Sequence, residues 1–142
     1  MLIHKPDHGI FITTPIANPA AGAEFGFLTP QGFRIRPIML HFTFTTSATV
    51  ANRMPILRLY FGAGTLAMLP NASVQTASTA RYYTYGIGFP LTFVSTAGCA
   101  LSPLPKDFWM EWGDDLVTTT ALIDATDQYS SIFYTYEREI QP

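Results

Sequence analysis

From Phe33 onward, apolar and polar residues alternate along much of the chain. Phe33-Arg34-Ile35-Arg36 alternates, and Leu40-His41-Phe42-Thr43-Phe44-Thr45 alternates again. Period two marks a strand with one face buried. Pro37 lies between the two runs, which predicts an edge position or a bulge there. Further strands are predicted over residues 53–61, 65–69, 81–89, 91–94, 108–112, 116–123 and 131–137. Turn signals separate them at Gly62-Ala63-Gly64, Pro70-Asn71, Pro90, Ser95 to Gly98, Gly113-Asp114-Asp115 and Asp124 to Gln128. Cys99-Ala100-Leu101 runs into Pro103-Leu104-Pro105, which stops it. No window shows helical periodicity with caps. Seven or eight short strands at this spacing predict an all-β chain, an antiparallel β-sandwich of jelly-roll-like build.

Residues 1–32 read differently. Pro6, Pro15, Pro19 and Pro30 fall among Gly9, Gly22, Gly26 and Gly32, and repeated Pro opposes both helix and central strand. The run Gly9 to Thr14, with Ile10, Phe11 and Ile12, could supply one edge strand. The expected organisation is an extended N-terminal arm at 1–32 and a sandwich domain at 33–142. The arm either docks on a neighbouring molecule or packs back along its own domain; both readings stay open. The first of them predicts that removal of residues 1–24 leaves a folded domain.

Composition sharpens this picture. The chain has 142 residues, enough for one domain without metals or disulfides. Charged residues make up 13%, about half the usual roughly 25%. Thr, Ser, Ala, Pro and Tyr must therefore cover much of the surface. Such a surface is weakly hydrated and suits a subunit whose faces are covered by neighbours. The plainer alternative is a Thr-rich sandwich that stays monomeric. Cys99 is the single cysteine, so no internal disulfide framework exists. No secretory signal is read at the start, and the apolar runs fall far short of a membrane span. Assembly in a host cytoplasm is the expectation.

The few charges are segregated. Between Phe25 and Lys106 there is no acid, and the cations there sum to +6; from Asp107 onward eight acids face Arg138 alone. The two segments could pair within one fold or between adjacent copies, where the planar guanidinium fork is favoured. The candidate interface cations are Arg34, Arg36, Arg53, Arg58 and Arg81. Their candidate acidic partners are Asp114, Asp115, Asp127 and Glu137, with Ile10, Phe11 and Ile12 supplying apolar contact. Six scattered cations do not argue for nucleic acid.

Candidate chemistry is sparse. His4 and His8 lie outside any helix that would align them, and His41 sits among apolar strand residues, so no metal site is assigned. Asp114, Asp115, Asp124 and Asp127 could bind calcium, but their setting is that of turns. Paired carboxylates with Trp109 and Trp112 could serve a glycosidase or lectin. Spaced three apart on one strand, however, the two indoles would point to opposite faces. No phosphate loop or nucleophile elbow is present. No catalytic residue, metal or cofactor is assigned, and the chain is not read as an enzyme.

Two stretches carry a family resemblance. Gly113-Asp114-Asp115-Leu116-Val117-Thr118-Thr119-Thr120, then Asp127-Gln128-Tyr129-Ser130-Ser131-Ile132 and Tyr136-Glu137, resemble small virion proteins of tailed bacteriophages. So do Ala51-Asn52-Arg53 and Leu57-Arg58-Leu59-Tyr60. The resemblance covers roughly residues 33–139. It implies a β-sandwich structural protein of the virion, first a capsid decoration or cement protein. The implied partners are the major capsid protein or other virion proteins, with a homo-oligomer expected and a trimer by analogy. Neither membrane nor nucleic acid is an expected partner. The alternative is a head-fibre or tail-tip component that binds a receptor or carbohydrate.

Overall fold

A computed structural model describes residues 9–141. Ten strands form two packed sheets: β1 (Ile10–Ile16), β2 (Gly26–Leu28), β3 (Phe33–Thr45), β4 (Met54–Phe61), β5 (Gly64–Leu69), β6 (Ala80–Ile87), β7 (Thr92–Val94), β8 (Cys99–Leu104), β9 (Asp115–Ala121) and β10 (Gln128–Ile140). The six-stranded sheet runs β1-β10-β3-β6-β8-β7, and the four-stranded sheet runs β2-β9-β4-β5.

The pairings are nested. β1 pairs with β10, β2 with β9, β3 with β6 and β4 with β5, all antiparallel. That is one long hairpin rolled up, and the contacts β10–β3 and β9–β4 close the roll into two sheets. Eight strands connected this way make a jelly roll. The remaining two form an insertion between β6 and β9. Within it β8 runs parallel to β6, and β7, which precedes β8 across a single 3-10 turn at Ser95–Ala97, pairs along its outer edge.

Alternation along the strands builds the core. Leu40, Phe42 and Phe44 of β3, Leu57 and Leu59 of β4, Tyr83 and Tyr85 of β6, and Tyr129, Ile132 and Tyr134 of β10 are all buried. Aromatic edges meet faces: Phe25 stands T-shaped on Phe42 at 5.2 Å and on Tyr129 at 5.1 Å. Pro37 sits at a bulge, because Thr135 pairs with Met39 while Tyr136 pairs with Pro37, leaving Ile38 extra. β6 accompanies β3 only over Met39–Thr45, so the missing Pro37 N–H interrupts no second ladder.

Three expectations change. Phe108–Trp112 forms no strand; the segment is a loop that touches β3 through one bridge, Ile35 to Met110. Cys99–Leu104 continues as a strand through Pro103, because β7 pairs with β8 only at Cys99–Leu101 and leaves that side open beyond. Residues 10–16 and 26–28 of the Pro/Gly-rich leader are strands of their own domain's two sheets. Ile12 and Ile16 pack on the core. Of the two arrangements left open for the leader, the one found here is packing on its own domain.

Candidate functional site: the outer sheet faces

Three ion pairs between the basic and the acidic segments close within one chain. Arg34 and Arg36 stand directly across from Glu139 and Glu137 in the β3–β10 register. Each guanidinium donates to its partner's carboxylate, Arg34 Nε at 2.7 Å and Arg36 Nε at 2.8 Å. The Trp109 ring lies against both cations, 4.8 Å from Arg34 and 5.7 Å from Arg36. Trp112 is exposed.

Arg53 and Asp127 are not surface residues at all. Their side chains are wholly shielded and bond to each other at 2.9 Å. Their placement as interface residues is therefore corrected: they tie loops together inside one end of the sandwich. Arg53 also donates to the Thr49 and Ala51 carbonyls and to Ser47 Oγ. Asp127 accepts from the Ser47 and Asp124 backbone N–H groups.

The other predicted residues scatter. Asp114 is buried and accepts from the Glu111 backbone N–H, closing its own turn. Arg81 donates to Ser73 Oγ and the Val74 carbonyl and lies over the Phe93 ring at 4.3 Å. Arg58 reaches Tyr60 Oη at 3.3 Å on the outer face of the four-stranded sheet. Asp115 stands opposite Tyr60 there; burial raises its carboxyl above the ordinary value. Arg58 Nε and Asp115 Oδ1 are buried without partners among the described residues. Ile10 and Phe11 are exposed, while Ile12 turns inward. His4 and His8 lie outside the described residues. Among the described residues no three His, Cys, Asp or Glu side chains converge as a metal ion requires, and no helix is long and apolar enough to cross a membrane.

With those charges accounted for, the outer face of the six-stranded sheet stands out. One row of side chains crosses every strand: Pro15, Phe133, His41, Thr84, Leu101 and Thr92. The row on one side holds Thr43, Tyr82, Cys99 and Val94. The row on the other holds Thr13, Thr135, Met39, Gly86 and Pro103. None of these positions is an acid, Lys or Arg. Phe133 is 45% exposed and Tyr82 50%. At the centre, His41 Nδ1 bonds Thr84 Oγ1 at 2.9 Å, and its ring stacks on Tyr82. Desolvation lowers its pKa, which favours the neutral imidazole. Sequence reading missed this face, because its residues come from six strands whose order no single stretch encodes. The depleted charge was the available signal.

No family model matches the chain, and no curated protein or solved structure matches it.

Proposed function

We propose that the chain is a structural subunit of a larger particle, a jelly-roll building block that works by being covered. The observation that carries the reading is the uncharged face of the six-stranded sheet, where three rows of Thr, aromatic and aliphatic side chains meet solvent. The opposite face adds exposed Leu28 and Met68. A monomer gains nothing from leaving Phe133, Tyr82 and Val94 in water, whereas a neighbour that covers them gains about 25 cal/mol per Å2 of apolar area before association costs.

The virion part of the reading rests on the resemblance of residues 51–53, 57–60, 113–120, 127–132 and 136–137 to small virion proteins of tailed bacteriophages. In that setting the chain is a capsid decoration protein, oligomeric and bound to the shell. The exposed Trp112 keeps a second role in view, carbohydrate binding at a head fibre or tail tip. The deciding measurement is the mass of the purified protein in solution, alone and with the shell protein. An oligomer that co-sediments with shells supports the reading. A 15.7 kDa species that stays monomeric at high concentration and binds no shell overturns it. Binding to a glycan array, lost in Trp112→Ala, would favour the second role.

A further inference from the structure

A subunit role does not by itself fix which face meets which partner. Resting on that reading, we propose that copies of this chain meet each other through the outer face of the six-stranded sheet, with His41 inside the contact, so that self-association is lost on mild acidification.

The partner follows from symmetry. A face that packs on its own copy brings each charge near the same charge of the neighbour unless the geometry offsets them. Like charges set opposite one another destabilise the contact. The three central rows carry no such charge. The ionised groups on this face, Arg34, Arg36, Glu137 and Glu139, sit at one end and are already closed into two pairs. The opposite face differs: the charged residues Arg58 and Asp115 stand there, so a copy packed on it would set like charges near one another. Six strands about 4.8 Å apart and three side-chain rows give a footprint of about 500 Å2. That is before side-chain relief, and a standard interface takes roughly 800 Å2 per partner. The contact is therefore reversible and concentration-dependent.

His41 makes this contact sensitive to pH. On its own strand the charged neighbours are Arg34 and Arg36. From β10 the charged groups are Glu137 and Glu139, each already bonded to one of those arginines. From β6 Tyr82 stacks on the ring, and from β8 Cys99 lies one row away. No free carboxylate faces the imidazole among the described residues. An imidazolium formed beneath a covering copy would be desolvated without a counter-charge, so it opposes the contact.

Sedimentation velocity across a concentration series tests this at about pH 7.5 and about pH 5, the lower value set well beneath the ordinary His range because burial holds His41 below it. The wild type is expected to self-associate at the higher pH and to weaken about tenfold or more at the lower. His41→Gln, which keeps a side chain able to bond Thr84, is expected to associate at both. Phe133→Lys and Tyr82→Lys, both at exposed positions, are expected to give monomers. Met68→Lys, on the opposite face, leaves association intact. Circular dichroism melts confirm that each variant is folded. Association lost in Met68→Lys but kept in Phe133→Lys and Tyr82→Lys overturns the proposal and leaves the subunit reading standing. Wild-type association that is equal at both pH values removes His41 from the contact and overturns the proposal. A monomer that still binds shells overturns only the proposal, whereas a monomer that binds none overturns the subunit reading as well.

Discussion

Arg53 and Asp127 meet inside the sandwich with both side chains shielded from water, Nε to Oδ2 at 2.9 Å. The pair gathers one whole end of the fold. Arg53 holds the β3–β4 loop through the Thr49 and Ala51 carbonyls and Ser47 Oγ. The Arg53 backbone pairs with Gln75 of the β5–β6 connection. Asp127 anchors the β9–β10 turn, and its carbonyl accepts from the Gly22 N–H.

Asp127→Ala is therefore expected to destabilise the fold by about 3–5 kcal/mol, because it leaves an uncompensated buried guanidinium. The pH dependence has a definite sign. Burial by itself raises the Asp127 carboxyl, but bonds from the Ser47 and Asp124 N–H groups and from Arg53 outweigh it. They hold the folded value below the ordinary 3.8. The stabilisation is thus present above the unfolded value and is lost as pH falls through the folded one. Melting temperatures are expected to drop on acidification below about pH 4, and the drop is expected to be shallower in Asp127→Ala.

Gly22 offers a second test of the same end. Its backbone is left-handed at φ 74°, and an added Cβ would lie 2.7 Å from Ala125 Cα, which is main chain and cannot swing aside. Gly32 is also left-handed, at φ 80°, but an added Cβ there meets nothing within 4 Å. Gly32→Ala is expected to cost about 1 kcal/mol for the strained backbone alone. Gly22→Ala is expected to cost at least twice that, roughly 2–4 kcal/mol. Denaturant midpoints of the two variants would separate strain from contact, and equal midpoints would rule out the close approach.

How far the sequence spoke depends on the kind of signal. Period two placed most strands, since Leu40, Phe42 and Phe44 alternate with His41 and Thr43 on a sheet with one buried face. It failed at Phe108–Trp112, where five mostly apolar residues look like a strand but form a loop whose Trp109 covers Arg34 and Arg36. It also missed Gly26–Leu28. That strand is too short to show a period, and it lies in a Pro/Gly-rich leader. The segregation of charge was visible, but its use was not. Arg34 and Glu139 are far apart in sequence, and only the β3–β10 register shows that they face each other in one chain.

Tyr134 makes a counter-intuitive case. Its side chain is fully buried, and its hydroxyl has no partner among the described residues. Burial pushes its pKa up. Tyr83 is equally buried, pushed up to about 12 by burial, but donates to Gln75 Oε1 at 2.9 Å. Tyr134→Phe is expected to be neutral or to stabilise by about 1 kcal/mol, because it removes a desolvated polar group. Tyr83→Phe is expected to cost about 1–2 kcal/mol, because it orphans the Gln75 carbonyl oxygen. Urea unfolding of both variants checks the contrast, and a Tyr134→Phe protein weaker by more than about 1 kcal/mol would show that the hydroxyl does have a partner.

Deletion of residues 1–24 now carries a different expectation from the one the composition alone suggested. β1 pairs with β10 over seven positions, from Ile10 opposite Arg138 to Ile16 opposite Ile132. Ile12 and Ile16 pack on the core, and the Gly9 N–H bonds Glu137 Oε1. Beyond the strand, Glu24 accepts from the Thr120 N–H and hydroxyl. The truncated chain would bare the β10 edge beside Tyr134 and Tyr136, and an unpaired edge is a template for aggregation. The deletion is therefore expected to lower stability by several kcal/mol and to promote aggregation. It would not yield a quiet, folded domain with weakened binding. A Phe11→Thr variant separates the two roles of the segment. Phe11 is 64% exposed and points away from the core, so the change is expected to leave the melting temperature within about 2 °C. A truncated protein that melts as cooperatively and as high as the full chain would show that β1 lies against its own domain without supporting it.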